Sequence, residues 1–191
     1  MPARKKLRLG LFGGSFNPIH CGHLILAEQA REQLSLDSVF FIPTFQPPHK
    51  HPKDLLDAQY RLRLVKLAVA GNRAFTVSNL EIRRGGISYT LDTIEAVRKR
   101  HPDAELFLIV GQDMLSVRWR NWDRIKALCT VAVAARPGAS PALEPVIIRI
   151  DMPEIGISSS DIRERIRQGR SIRYRVPATV ESAIRRFGWY L

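Results

Sequence analysis

The chain reads as an α/β protein with a parallel sheet, and three observations predict it. Short apolar runs alternate with segments of helical periodicity along the chain. One run, Leu106–Val110, is continuously apolar and ends at Gly111, as a strand buried on both faces does. The first run, Leu7–Phe12, passes directly into Gly13-Gly14, and open parallel sheets bind ligands at such strand ends.

Each element follows from local pattern. Leu7–Phe12 is the first strand. His23–Leu34 is a helix, with Leu24, Ala27, Arg31 and Leu34 at helical spacing. Val39–Pro43 is a second strand, and Thr44–Asp57 a loop punctuated by Pro47-Pro48 and Pro52. Tyr60–Ala70 is a helix stopped by Gly71, and Phe75–Val77 is a short strand. Thr90–Arg100 is a helix with Leu91, Ile94 and Val97 inward. After the Leu106–Val110 strand come a short helix at Trp122–Leu128 and a strand at Val131–Ala135. Arg136–Pro145 is a Pro/Gly-rich loop and Val146–Ile150 a last strand. Two helices close the chain. One runs from about Ser160 to Gln168 before Gly169, the other from about Ala178 to Phe187 behind Pro177.

At 191 residues, the expectation is one domain over 1–191, its helical C-terminal part beginning near residue 158. No apolar span approaches the ~18 residues of a membrane helix, and no secretory signal pattern opens the chain. The two cysteines, Cys21 and Cys129, make neither a disulfide framework nor a cysteine-rich metal site, so a reducing, cytoplasmic setting is expected. The net charge of +12 invites a nucleic-acid reading. The positive residues are dispersed, however, and no aromatic-rich RNA-binding signature accompanies them. A basic surface that draws in small anions explains the charge as well.

The segment Gly13-Gly14-Ser15-Phe16-Asn17-Pro18-Ile19-His20-Cys21-Gly22-His23 carries the strongest chemical signal. A glycine pair lets backbone N–H groups approach a ligand, and the following helix start favours an anion. His20 and His23, three residues apart, can face one way. They could cap the turn, and a metal site would need a third ligand that the spacing does not offer. Beside a glycine loop, imidazole N–H groups can also stabilise charge on phosphoryl oxygens. The spacing fits neither the dinucleotide fingerprint nor a Walker loop.

A second constellation, Ile157-Ser158-Ser159-Ser160-Asp161-Ile162-Arg163, places three hydroxyls before a helix. N-capping needs only one of them. A helix start with spare hydroxyls and Arg163 one turn in can also clamp a polyphosphate.

Together the two motifs resemble those of the nucleotidyltransferase superfamily. Within it, the chain resembles the bacterial nicotinate-nucleotide adenylyltransferases over nearly its full length. Pro47-Pro48-His49-Lys50, Ser88-Tyr89-Thr90-Leu91-Asp92-Thr93, Gly111-Gln112-Asp113-Met114, Trp122, Arg136-Pro137 and Gly188-Trp189-Tyr190 carry that narrower likeness. The resemblance implies a Rossmann-like parallel sheet with helices on both faces. It also implies transfer of the adenylyl group of ATP to the 5′-phosphate of nicotinate mononucleotide, giving deamido-NAD and pyrophosphate by direct in-line attack. Mg²⁺ would enter with ATP, with no metal ligands from the protein.

The resemblance assigns His20 and His23 to catalysis. It assigns Gly14, Ser15, Phe16, Asp113, Ser158, Ser159 and Arg163 to ATP, and His49, Lys50, Thr90, Trp122 and Arg136 to the mononucleotide. Thr90 could equally cap its helix, and Trp122 could be core or could stack on the pyridine ring. The chain departs from the family pattern where Thr44 replaces the usual Asn, Ser160 the usual Thr, and Asp123 the aromatic after tryptophan. The alternatives are an adenylyltransferase acting on nicotinamide mononucleotide or phosphopantetheine, and a non-catalytic RNA-binding protein on the same fold. The sequence assigns no oligomeric state.

Overall fold

A computed structural model of the protein describes residues 6–48, 53, 55–111, 119–135 and 147–191. The chain alternates strand and helix: β1 (Arg8–Gly14), α1 (Cys21–Gln33), β2 (Ser38–Pro43), α2 (Ala58–Val69), β3 (Phe75–Val77), α3 (Leu80–Arg84), α4 (Thr90–Arg100) and β4 (Glu105–Val110). It continues with α5 (Trp122–Leu128), β5 (Thr130–Ala135), β6 (Ile147–Asp151), α6 (Ser159–Arg167) and α7 (Ala178–Phe187). The six strands form one sheet in the order β3-β2-β1-β4-β5-β6. Every neighbouring pair is parallel. This is the Rossmann-like arrangement. Strand order reverses between β1 and β4, so a cleft opens where those two strands end.

The period-2 alternation of the strands sorts the core into two layers. Phe12, Phe41, Phe107 and Ile109 pack on one face against Leu26 and Ala30 of α1 and Leu64 and Val65 of α2. Ile162 of α6 and Val180 and Ile184 of α7 join that same layer. Leu9, Leu11, Leu106 and Leu108 pack on the other face against Ile94 and Val97 of α4 and Ile125 of α5. β1 and β4 thus contribute to both faces, which is why their sequences are nearly unbroken apolar runs. No helix among the described residues is long and apolar enough to cross a membrane.

Four local expectations change. Strand β1 runs on through Gly13 and Gly14, which pair with Ile42 and Pro43 of β2, so the glycine pair ends the strand rather than following it. Helix α1 begins at Cys21 rather than His23, because His20 is its N-cap. Helix α4 begins at Thr90 behind Tyr89 as N-cap, so Thr90 is the first helical residue and not the cap. Helix α3 was not anticipated: five residues are too few to display a 3.6-residue period. Gly71 and Gly169 both take positive φ just beyond their helices, as expected of helix stops. The Arg136–Pro145 loop lies outside the described residues.

Candidate active site

The loop after β1 is built around a buried aromatic. Phe16 sits at φ 44°, and its ring is 1% exposed. That ring meets Phe12 edge-on at 5.5 Å and His23 at 5.1 Å between centroids. The positive φ places Phe16 in the core while its backbone stays at the cleft. Asn17 is also buried, and its Oδ1 accepts the Leu56 N–H at 3.0 Å.

The histidine pair follows directly. The rings of His20 and His23 stack with centroids 3.6 Å apart at 28°. The His20 N–H donates to His23 Nδ1 at 3.1 Å, so a neutral His23 carries its proton on Nε2. His20 is 8% exposed, and burial depresses its pKa to about 4, so its ring is neutral at pH 7. Gly22 makes room for this ring. A Cβ there would lie 3.2 Å from His20 Nδ1 and 3.3 Å from Cε1.

The serine motif sits across the cleft. Ser158 is the N-cap of α6, its Oγ accepting the Asp161 N–H at 3.1 Å. Ser159 Oγ donates to the Pro18 carbonyl at 2.8 Å. Arg163 Nη1 donates to the Asn17 carbonyl at 2.7 Å, and Nη2 to Ser160 Oγ at 3.3 Å. The start of α6 therefore holds the loop that follows β1, across more than 140 residues of sequence.

A cavity of about 850 Å³ gathers these parts. Gly13 to Phe16, His20, His23 and Ser158 to Ser160 line it, with Thr44, Thr90 and Gly111. Two of the expected residues sit elsewhere. Arg163 does not line the cavity; its guanidinium binds the Asn17 carbonyl instead. Trp122 does not line it either. Trp119, 5.7 Å from Trp122 between ring centroids, lines both this cavity and a neighbouring one of about 590 Å³ that it shares with Thr90 and Tyr89. His49, Lys50, Asp113 and Arg136 lie outside the described residues.

Two residues lining the site and one buried beneath it carry no signal in the motifs above. Trp119 belongs to none of those motifs and lines the cavity three positions before Trp122. Glu81 lies on α3, is 4% exposed, and accepts from Thr93 Oγ1 at 2.6 Å. Its burial raises its pKa, and it lines the cavity. Arg61 is 1% exposed, yet sits three residues before Leu64 on the apolar stripe of α2. A charged residue in a core stripe is the signal that could have found it.

Among the described residues, no cluster of three His, Cys, Asp or Glu side chains could hold a metal ion. The described donors at the cleft are imidazoles, hydroxyls and backbone N–H groups, a set suited to anions and to a cation that arrives on a phosphate.

A family model described as cytidylyltransferase-like matches residues 11–165. A Thermus thermophilus protein named "Probable nicotinate-nucleotide adenylyltransferase" is 46% identical over 187 residues, covering 96% of this chain and 100% of the relative. One of the same name from Thermomicrobium roseum is 42% identical over 195 residues, covering 96% and 91%. The fold is also that of Plasmodium falciparum nicotinic acid mononucleotide adenylyltransferase, solved in complex with NaAD. That likeness has a TM-score of 0.80 at 15% identity, covering 96% of this chain and 97% of the other.

Proposed function

Because the chain belongs to the cytidylyltransferase-like family and, within it, to the nicotinate-nucleotide adenylyltransferases, we propose that the cavity under the β1 loop is where its adenylyl transfer occurs. The enzyme joins the 5′-phosphate of nicotinate mononucleotide to the α-phosphate of ATP, producing deamido-NAD and pyrophosphate. An acceptor phosphate oxygen attacks the α-phosphorus, one P–O bond forms, and the bond to the leaving pyrophosphate breaks. The acceptor is already ionised at neutral pH, so no general base is required. A divalent cation enters with ATP, and we assign Mg²⁺.

The observation that supports this site best is the stacked His20–His23 pair, facing the same cavity as Ser158 to Ser160. His23 Nε2–H stabilises the charge that develops on the reacting phosphate, and neutral His20 fixes the orientation of His23 by stacking. The N–H groups from Gly14, the last residue of β1, to Phe16 and those at the start of α6 hold ATP phosphates. Ser159 and Arg163 keep that loop in place through the Pro18 and Asn17 carbonyls. Thr90 and the Trp119–Trp122 pair form the pyridine end, with Trp119 as the nearer wall. His49, Lys50 and Arg136 serve the acceptor, and Asp113 the ATP ribose. The whole chain, 1–191, acts as one nucleotidyltransferase unit.

Pyrophosphate release from ATP and Mg²⁺ tests the reading, run in parallel with nicotinate mononucleotide, nicotinamide mononucleotide and phosphopantetheine. Release with the first alone is expected. Release with another acceptor would overturn the substrate, and no release with any of them would overturn the activity.

A further inference from the structure

Arg61 is the largest of the fully buried side chains, and nothing in the scheme above uses it. Its guanidinium donates to four backbone carbonyls: Nε to Leu56 at 2.8 Å, Nη1 to Ser15 at 2.8 Å and to Thr44 at 2.8 Å, and Nη2 to Phe45 at 2.9 Å. No carboxylate pairs with it within 4 Å among the described residues. Tyr190, Asp57 and Glu81 act on it only through their fields, none of them by a direct ion pair. Burial lowers its pKa, but a guanidinium is not deprotonated in proteins. Packing alone does not explain a buried cation satisfied only by carbonyl dipoles, because an apolar side chain could fill the space without desolvating a charge.

The four carbonyls identify the groups being joined. Ser15 belongs to the phosphate-facing loop after β1. Thr44 and Phe45 begin the segment after β2 that leads toward the mononucleotide side, and Thr44 lines the cavity with its Oγ1 buried. Phe45 is held further by its N–H on Ser88 Oγ at 3.0 Å, beside Thr90. In a planar trans peptide the C=O and N–H point to opposite edges. Fixing the Ser15 carbonyl on Arg61 therefore fixes the direction of the Phe16 N–H, and the Thr44 N–H fixes the Gly14 carbonyl at 3.0 Å in the same way.

We propose that Arg61 is a positioning residue that couples the two substrate sites, setting the phosphate-facing peptide of the β1 loop and the acceptor-side segment after β2 with one planar guanidinium. This rests on the reading of the cavity as the adenylyl-transfer site. Lysine keeps the charge but not the fork, so Arg61→Lys separates charge from geometry.

Turnover of the wild-type protein with ATP and nicotinate mononucleotide is measured first, and its absence would fail the functional reading rather than this one. Binding of α,β-methylene ATP is then measured with and without nicotinate mononucleotide, in wild type and Arg61→Lys. Wild type is expected to show mutual enhancement of about fivefold or more. The variant is expected to lose that enhancement, with kcat lower by about ten- to a hundredfold and an unchanged fold by circular dichroism. Enhancement and kcat both within about twofold of wild type would overturn the proposal. A wild-type measurement decides even if the variant does not fold. Nicotinate mononucleotide alone is expected to slow amide exchange at Gly14 to Phe16, and unchanged exchange there would overturn the coupling.

Discussion

The His20 amide donates to Nδ1 of His23 while the two rings stack 3.6 Å apart. One residue thus sets both the tautomer and the plane of the other. His23→Ala is expected to abolish pyrophosphate release and leave the thermal melt nearly unchanged. Near-normal turnover would remove the transition-state role from His23.

The buried His20 ring gives stability a pH dependence of definite sign. The unfolded chain takes up this proton near pH 6.5, and the folded chain only near 4. Between those values the unfolded state binds more protons, so stability falls as pH falls from 6.5 to 4. The span corresponds to roughly 3 kcal/mol. In urea melts at pH 7.5 and pH 4, His20→Gln should lose less stability than wild type. An identical loss in both would contradict a neutral, buried His20.

Gly22 separates stability from activity. Gly22 lies in the first turn of α1, where alanine gains only part of the ~1 kcal/mol it has over glycine in a helix interior, so Gly22→Ala should leave the melting temperature nearly unchanged. Its Cβ would press on the His20 ring at 3.2 Å and meet Ile155 Cγ2 in ordinary contact at 3.6 Å. Turnover should drop about tenfold as the histidine pair shifts. A variant as active as wild type would show that the pair tolerates the contact.

The tryptophans divide by position. Trp119 lines both cavities and Trp122 lines neither. Trp119→Ala is expected to raise KM for the mononucleotide by about tenfold, the scale of one lost ring stack, with little change for ATP. Trp122→Ala should act in the same direction and more weakly, through its contact with Trp119. A larger effect at Trp122 would make that ring the platform.

Ser159→Ala removes the bond to the Pro18 carbonyl and should cost about 1 kcal/mol of stability. Because that bond ties α6 to the β1 loop, KM for ATP should rise more than KM for the mononucleotide. Equal effects on both substrates would indicate a purely structural serine.

Much of this molecule follows from local sequence. The unbroken apolar runs of β1 and β4 require burial on both faces, so the parallel sheet and its covering helices could be read from residue pattern alone. The glycine pair, the histidines and the serine triplet identified the loop and the helix start, because backbone approach and capping depend on residue type within a few positions. Tertiary structure decided which groups those residues face. Arg163 reads as a phosphate ligand, and in the fold its guanidinium also holds the Asn17 carbonyl; of the two tryptophans, Trp119 lines the cavity. Arg61 is joined to four carbonyls from segments up to 46 residues away, a pairing that no local pattern encodes. Patterns along a chain encode which face of an element is buried. The partner of a buried charge depends on where separate strands end, and only the closed sheet brings those ends together.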